Sequence, residues 1–131
     1  MLKISYPTCE IGGRLHVPCH AVWDVLTDTT RWPQWGPSVT AVDCAERYIK
    51  KGSRGRVRTP FGLWVPFVVT EYEEYRYWSW RVWGIPATGH RTELGNDERC
   101  VLVFEVPTFA APYLFICKIA IGRIADLLER P

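Results

Sequence analysis

Tyr77-Trp78-Ser79-Trp80-Arg81-Val82-Trp83 reads as a β-strand. Side chains alternate across a strand, so Trp78, Trp80 and Val82 share one face. A second tryptophan motif lies upstream, Arg31-Trp32-Pro33-Gln34-Trp35-Gly36-Pro37, and the chain carries seven tryptophans in 131 residues. So much aromatic surface on one face implies either a heavily aromatic core or a cavity lined for an apolar ligand.

Strand patterns continue on both sides of this stretch. Upstream come Thr40 to Tyr48, Arg54 to Thr59 and Leu63 to Tyr72, separated by turns at Lys51-Gly52-Ser53 and Pro60-Phe61-Gly62. Pro66 lacks a backbone donor, which predicts an edge position or a bulge in the third of these. Downstream follow Ala87 to Leu94 and Arg99 to Val106, joined by the hairpin turn Gly95-Asn96-Asp97-Glu98. Short turns between successive strands make a six-stranded antiparallel meander.

The flanks read differently. Glu10 to Val17 is a further strand with a bulge expected at Gly12-Gly13. Pro18 suits the first turn of a helix ending at Thr27, and Asp28 can cap a second short helix. After the meander, Pro112 opens one long helix with an apolar stripe of Leu114, Cys117, Ile121, Ile124 and Leu128. Gly122 within it predicts close approach of another group. The order is one strand, two short helices, six strands and a long helix. This is an α+β chain, read as a single domain over residues 1–131, with a curved antiparallel seven-stranded sheet wrapped around the last helix.

Composition narrows the functional classes. Hydrophobic residues at 47% and charged residues at 23% are ordinary for a globular protein, and a net charge of +2 is too small for a dedicated nucleic-acid binder. Cys9, Cys19, Cys44, Cys100 and Cys117 are odd in number and contain no CxxC, so free thiols and a reducing, cytoplasmic setting are expected. The first residues lack the apolar core of a signal peptide. Phe109 to Leu128 approaches the length of a membrane span, but Lys118, Arg123 and Asp126 favour a buried helix over stable membrane insertion.

Pro18 to Asp28 (PCHAVWDVLTD) followed by Arg31-Trp32-Pro33-Gln34-Trp35 resembles the START-like, or SRPBCC, superfamily, and within it the polyketide cyclase/dehydrase and lipid-transport group. Gly52-Ser53, Val69-Thr70-Glu71-Tyr72-Glu73, Trp78-Ser79-Trp80-Arg81 and Ala87-Thr88-Gly89-His90 extend the resemblance over about residues 10 to 130. It implies the helix-grip fold and an apolar cavity between the sheet and the long helix. The matching motifs are structural positions and leave open whether chemistry happens there.

The expected lining comes from the concave strand faces and the last helix. It comprises Trp78, Trp80 and Val82; Thr88, His90 and Thr92; Leu102 and Phe104; and Leu114, Cys117 and Ile121. Trp32, Trp35 and Trp64 are expected near the cavity mouth or under the short helices. His90 is the one candidate acid or base, and it can equally be a hydrogen-bonded core histidine. Arg54, Arg56 and Arg58 share a face and are expected to pair with Glu71, Glu73 and Glu74 on the neighbouring strand. His16 and His20 flank Pro18 and have no carboxylate at ligand spacing, so neither a metal nor a cofactor is assigned. Three readings follow: a carrier of a lipid, aromatic or polyketide-like molecule, a cyclase or dehydratase using His90, and an interaction module whose core is filled by its own aromatics.

Overall fold

Alternation decides which residues enter the core. Along Trp64–Glu73, the buried residues are Val65, Phe67 and Val69, while Trp64 and Pro66 face outward. The computed structural model describes residues 2–5, 8–95 and 99–129. Its strands are β1 (Leu2–Ser5), β2 (Thr8–Leu15), β3 (Ala41–Cys44), β4 (Arg54–Arg58), β5 (Trp64–Glu73), β6 (Tyr77–Val82), β7 (Ile85–Leu94) and β8 (Cys100–Pro107). They form one antiparallel sheet in the order β1-β2-β8-β7-β6-β5-β4-β3. The helices are α1 (Cys19–Thr27), α2 (Trp32–Trp35) and α3 (Leu114–Glu129), the last preceded by a 3-10 segment, Thr108–Tyr113. This is the expected helix-grip arrangement, with the seven anticipated strands and an additional edge strand, β1, ahead of them.

Several local expectations are corrected. The Gly12-Gly13 pair makes no bulge, because β2 and β8 stay in register through both residues. Gly13 instead admits α3: a Cβ placed there would stand 2.9 Å from Cγ2 of Ile121. Gly122 has open space where its side chain would be, so it marks no close approach. Strand β5 runs straight through Pro66, and its irregularity falls between Val69 and Glu71. The strand expected over Thr40 to Tyr48 stops at Cys44, leaving Tyr48 in an isolated bridge with Asp28. The expected turn at Asn96 to Glu98 lies outside the described residues, and Gly95 donates to the Arg99 carbonyl across it at 2.7 Å.

The arginines of β4 point outward as expected but find other partners. Arg56 bonds Asp43 at 2.7 Å and lies 5.0 Å from the Trp64 ring centroid. Arg54 pairs in register with Val68, so the glutamates lie beyond the end of β4. Glu71 accepts from Ser79 and Glu73 pairs with Arg76. Trp64 therefore sits on the outer face, away from the cavity mouth or the underside of the short helices where it was expected.

Asp28 caps the turn after α1 as read from the sequence. Its carboxylate accepts from the Thr30 backbone and hydroxyl and from Arg47. Burial works against its charge, but the bonds from Arg47 and Thr30 prevail and hold its pKa below the usual carboxylate value.

The free-thiol expectation is overturned for two cysteines. Cys19 at the start of α1 and Cys100 at the start of β8 form a disulfide across 81 residues of sequence, while Cys9, Cys44 and Cys117 are free. Cysteine count carries no distance information, and the fold brings these two together. The count therefore does not decide the compartment. Among the described residues no helix is long and apolar enough to cross a membrane. Closing so long a loop stabilises a fold by about 4 kcal/mol in the chain-entropy account. Reduction is expected to lower the melting temperature by more than about ten degrees, as Cys100→Ser should; an unchanged transition after verified reduction would show the bridge to be energetically idle.

Candidate functional site

The concave face is built from alternating positions on four strands. Thr88, His90 and Thr92 point inward from β7, with Leu102, Phe104 and Val106 from β8, Trp78 from β6, and Val65, Phe67 and Val69 from β5. The register places His90 opposite both Trp78 and Phe104. From the other side come Trp32 and Trp35 of α2, whose indole N–H groups donate to the carbonyls of Leu26 and Val25. Those bonds hold both rings buried beneath the short helices, the second of the two positions expected of them, rather than at the mouth.

The result is a continuous aromatic cluster. Trp32 stacks on Trp78 at 5.5 Å between centroids with 8° between planes, and Trp78 stacks on His90 at 3.9 Å. Trp80 meets Trp32 edge-on at 5.3 Å, and Phe104 meets His90 edge-on at 4.8 Å. A cavity of about 40 Å³ lies beside this cluster, among Trp35, Trp78, Trp80, Thr88, His90 and Cys117. That volume suits ordered water or the tip of a ligand, not a whole molecule.

The larger space lies nearer the surface. A groove of about 300 Å³ opens between the ends of β4–β8 and the 3-10 segment before α3. Val57, Val65, Val82, Ala87, Val106 and Ala110 give it an apolar lining. Ser38, Val39, Trp80, Thr88 and Tyr113 border both the groove and the small cavity. Two hydrogen bonds brace this partition: Tyr113 donates to Ser38 at 2.6 Å, and the Trp80 indole donates to Thr88 at 2.8 Å.

The eleven expected lining residues therefore divide. Trp80 and Thr88 touch both spaces, Val82 touches the groove, and Trp78, His90, Phe104 and Cys117 touch the small cavity. Leu102 and Leu114 are buried core residues that border neither space. Ile121 packs toward Gly13. The Thr92 hydroxyl donates to the Tyr75 carbonyl at 3.0 Å, bracing the β5–β6 turn. Sequence reasoning missed the Val57, Val65 and Val106 wall, although alternation with Arg56, Arg58 and Pro66 would have found the first two. Ser38 and Tyr113 lie 75 residues apart and gave no signal.

Two polar groups in the cluster matter chemically. His90 is fully enclosed; burial pushes its pKa down to about 3, against a hydrogen bond between Nδ1 and the Trp78 carbonyl at 3.2 Å. It is thus a neutral imidazole near pH 7. The Trp78 indole nitrogen has no hydrogen-bond partner, alone among buried side-chain nitrogens and oxygens of the described residues. Burying a donor unpaired costs about 1–3 kcal/mol, which an acceptor at that nitrogen would recover. Cys117 is a core thiol whose pKa burial raises to about 12.

Residues 14–109 match the model of the family described as polyketide cyclase / dehydrase and lipid transport. The chain belongs to this family. Solved structures with the same fold include an uncharacterised protein from Bacillus thuringiensis (TM-score 0.72, 11% identity, covering 94% of this chain and 99% of that one). Another is XoxI from Bacillus cereus (TM-score 0.72, 13% identity, 95% and 99% covered). DynU16, from the dynemicin biosynthetic locus, is also similar (TM-score 0.64, 20% identity, 95% of this chain and 48% of that one). No curated protein sequence matches the chain. Family and fold support a ligand-binding or cyclase-type role.

Burial of neutral His90 sets a pH signature for this polyketide cyclase/dehydrase family member. The unfolded chain protonates histidine near 6.5 and the folded chain only near 3, so the unfolded state binds more protons between those values. His90's contribution is complete above pH 6.5 and declines as pH falls toward 3. Chemical denaturation at successive pH values should show stability falling through this window, and His90→Phe should flatten that fall. A slope unchanged in His90→Phe would contradict the assignment.

Proposed function

We propose that this protein binds a hydrophobic or amphipathic small molecule, of lipid, aromatic or polyketide-like character, at the groove between the sheet ends and the segment leading into α3. The observation that carries this reading is the groove itself: about 300 Å³, open, and lined by Val57, Val65, Val82, Ala87, Val106 and Ala110. Removing apolar ligand surface from water there is worth about 25 cal/mol per Å² before entropic costs. A pocket of this size with few polar groups fits the general pattern of small-molecule sites.

The polar groups favour an amphipathic molecule with a hydrogen-bond acceptor at one end. The acceptor would meet the Thr88 hydroxyl, which accepts from the Trp80 indole and keeps its own proton to donate, where the groove and the small cavity adjoin. A carbonyl or phenolic oxygen has the right chemistry.

The cyclase or dehydratase reading finds less support in His90. General acid–base work needs a group that titrates near the working pH. His90 is held neutral, stacked on Trp78, and bonded to a backbone carbonyl rather than to a second titratable side chain.

Ala110→Trp puts a large ring into the groove from the 3-10 segment, at a position that lines the groove and not the small cavity. It should weaken binding of a fluorescent naphthalene or fatty-acyl probe by about tenfold or more, equivalent to about 1.4 kcal/mol, with the melting temperature little changed. Unimpaired probe binding in this variant would remove the groove as the site.

A further inference from the structure

Between α1 and the end of β5, a second cleft of about 370 Å³ has a different chemistry. One wall is α1, running from exposed His20 and Asp24 past Ala21 to buried Thr27, with Trp23 at the floor. The other wall is the end of β5 and the turn after it, Tyr72, Glu74 and Tyr75, with Tyr48 closing one side. Four aromatic rings and two carboxylates line the space, and neither lysine nor arginine does.

The rings are inclined to one another as the walls of a box. Trp23 and Tyr72 have centroids 5.8 Å apart with 59° between planes, and Trp23 and Tyr75 are 6.3 Å apart at 50°. Trp23 is buried, Tyr72 half-buried, and Tyr75 and Tyr48 exposed, so the box has a fixed floor and accessible sides. Asp24 and Glu74 are exposed on opposite walls. Tyr48 already takes a cation on its ring, with the Arg47 guanidinium carbon 5.2 Å from its centroid.

Tyr75 occupies this position at a conformational cost. Its φ is 65°, a left-handed conformation unfavourable for a bulky side chain. The buried Thr92 holds it there, donating from its hydroxyl to the Tyr75 carbonyl, while the Thr92 amide donates to the Arg76 carbonyl at 3.0 Å. Such strain persists only where surrounding structure enforces it, and it is common at ligand clamps.

We infer that this cleft is a binding site for an organic cation of the quaternary or methylated ammonium class. Aromatic faces attract such a cation through their quadrupoles, methyl groups fill the inclined box, and the carboxylates supply long-range attraction. The same carboxylates disfavour a cation that carries a phosphate beside it, so the cleft selects a free ammonium over a zwitterionic head group. This site is separate from the apolar groove, and neither proposal depends on the other.

Choline, phosphocholine and 3,3-dimethyl-1-butanol (the neutral isostere of choline) provide the test, titrated against the full chain by NMR at low ionic strength. Choline should bind saturably and shift the Trp23 indole resonance, with the neutral alcohol and phosphocholine each weaker by about fivefold or more. Tyr75→Gly removes a ring while relieving the left-handed backbone, so it should reduce choline affinity by about fivefold without lowering the melting temperature. Asp24→Asn should weaken choline binding and leave the neutral alcohol unaffected. Equal binding of choline and its neutral isostere, unchanged affinity in Tyr75→Gly, or absence of saturation by choline would overturn the inference. Phosphocholine binding as tightly as choline would overturn the selection of a free ammonium.

Discussion

The Trp32–Trp78–His90 stack is the constraint on which the interior depends. Its three rings come from α2, β6 and β7, so one column ties the short helices to the middle of the sheet. The column stands because Trp32 is locked by its indole bond to the Leu26 carbonyl. That bond in turn requires the chain reversal after α1, where buried Asp28 gathers Thr30 and Arg47. Each aromatic contact adds about 0.5–1.5 kcal/mol beyond burial, and the contacts share members, so the cluster acts as a unit.

Filling the centre with rings moves the free volume outward. A curved sheet around a helix can enclose a large cavity, but here Trp32, Trp35 and Phe104 occupy it, and the open space is displaced to the sheet ends and the 3-10 segment. The reading of a core filled by its own aromatics therefore describes the deep interior, while a ligand-sized groove persists at the mouth. His90 follows from the same packing. Stacking and enclosure hold it as a neutral ring bonded to the Trp78 carbonyl.

Period-two alternation made most of this legible in the sequence. It put Trp78, Thr88, His90 and Phe104 on the inner face and the β4 arginines on the outer one, and it ordered the meander. What alternation cannot carry is distance across the chain. The Cys19–Cys100 bridge, the Tyr113–Ser38 bond and the role of Gly13 beneath Ile121 all depend on packing of α1 and α3 against particular strands. Nor does it carry register: the irregularity expected at Pro66 lies between Val69 and Glu71, while Pro66 itself pairs in continuous register with Arg56. Tyr75 was invisible for a related reason. A left-handed tyrosine runs against local preference, and only the bond from Thr92 explains it.

The central claim is that apolar ligands occupy the groove mouth and not the deep core. Intermolecular NOEs between a bound naphthalene-type ligand and selectively labelled methyl groups test it directly. The account predicts contacts to the methyls of Val57, Val65, Val82, Ala87 and Ala110, and none to Leu102, Leu114 or Ile124. Contacts to the second set would mean that the aromatic column opens to admit ligand, contradicting the filled interior on which this account rests.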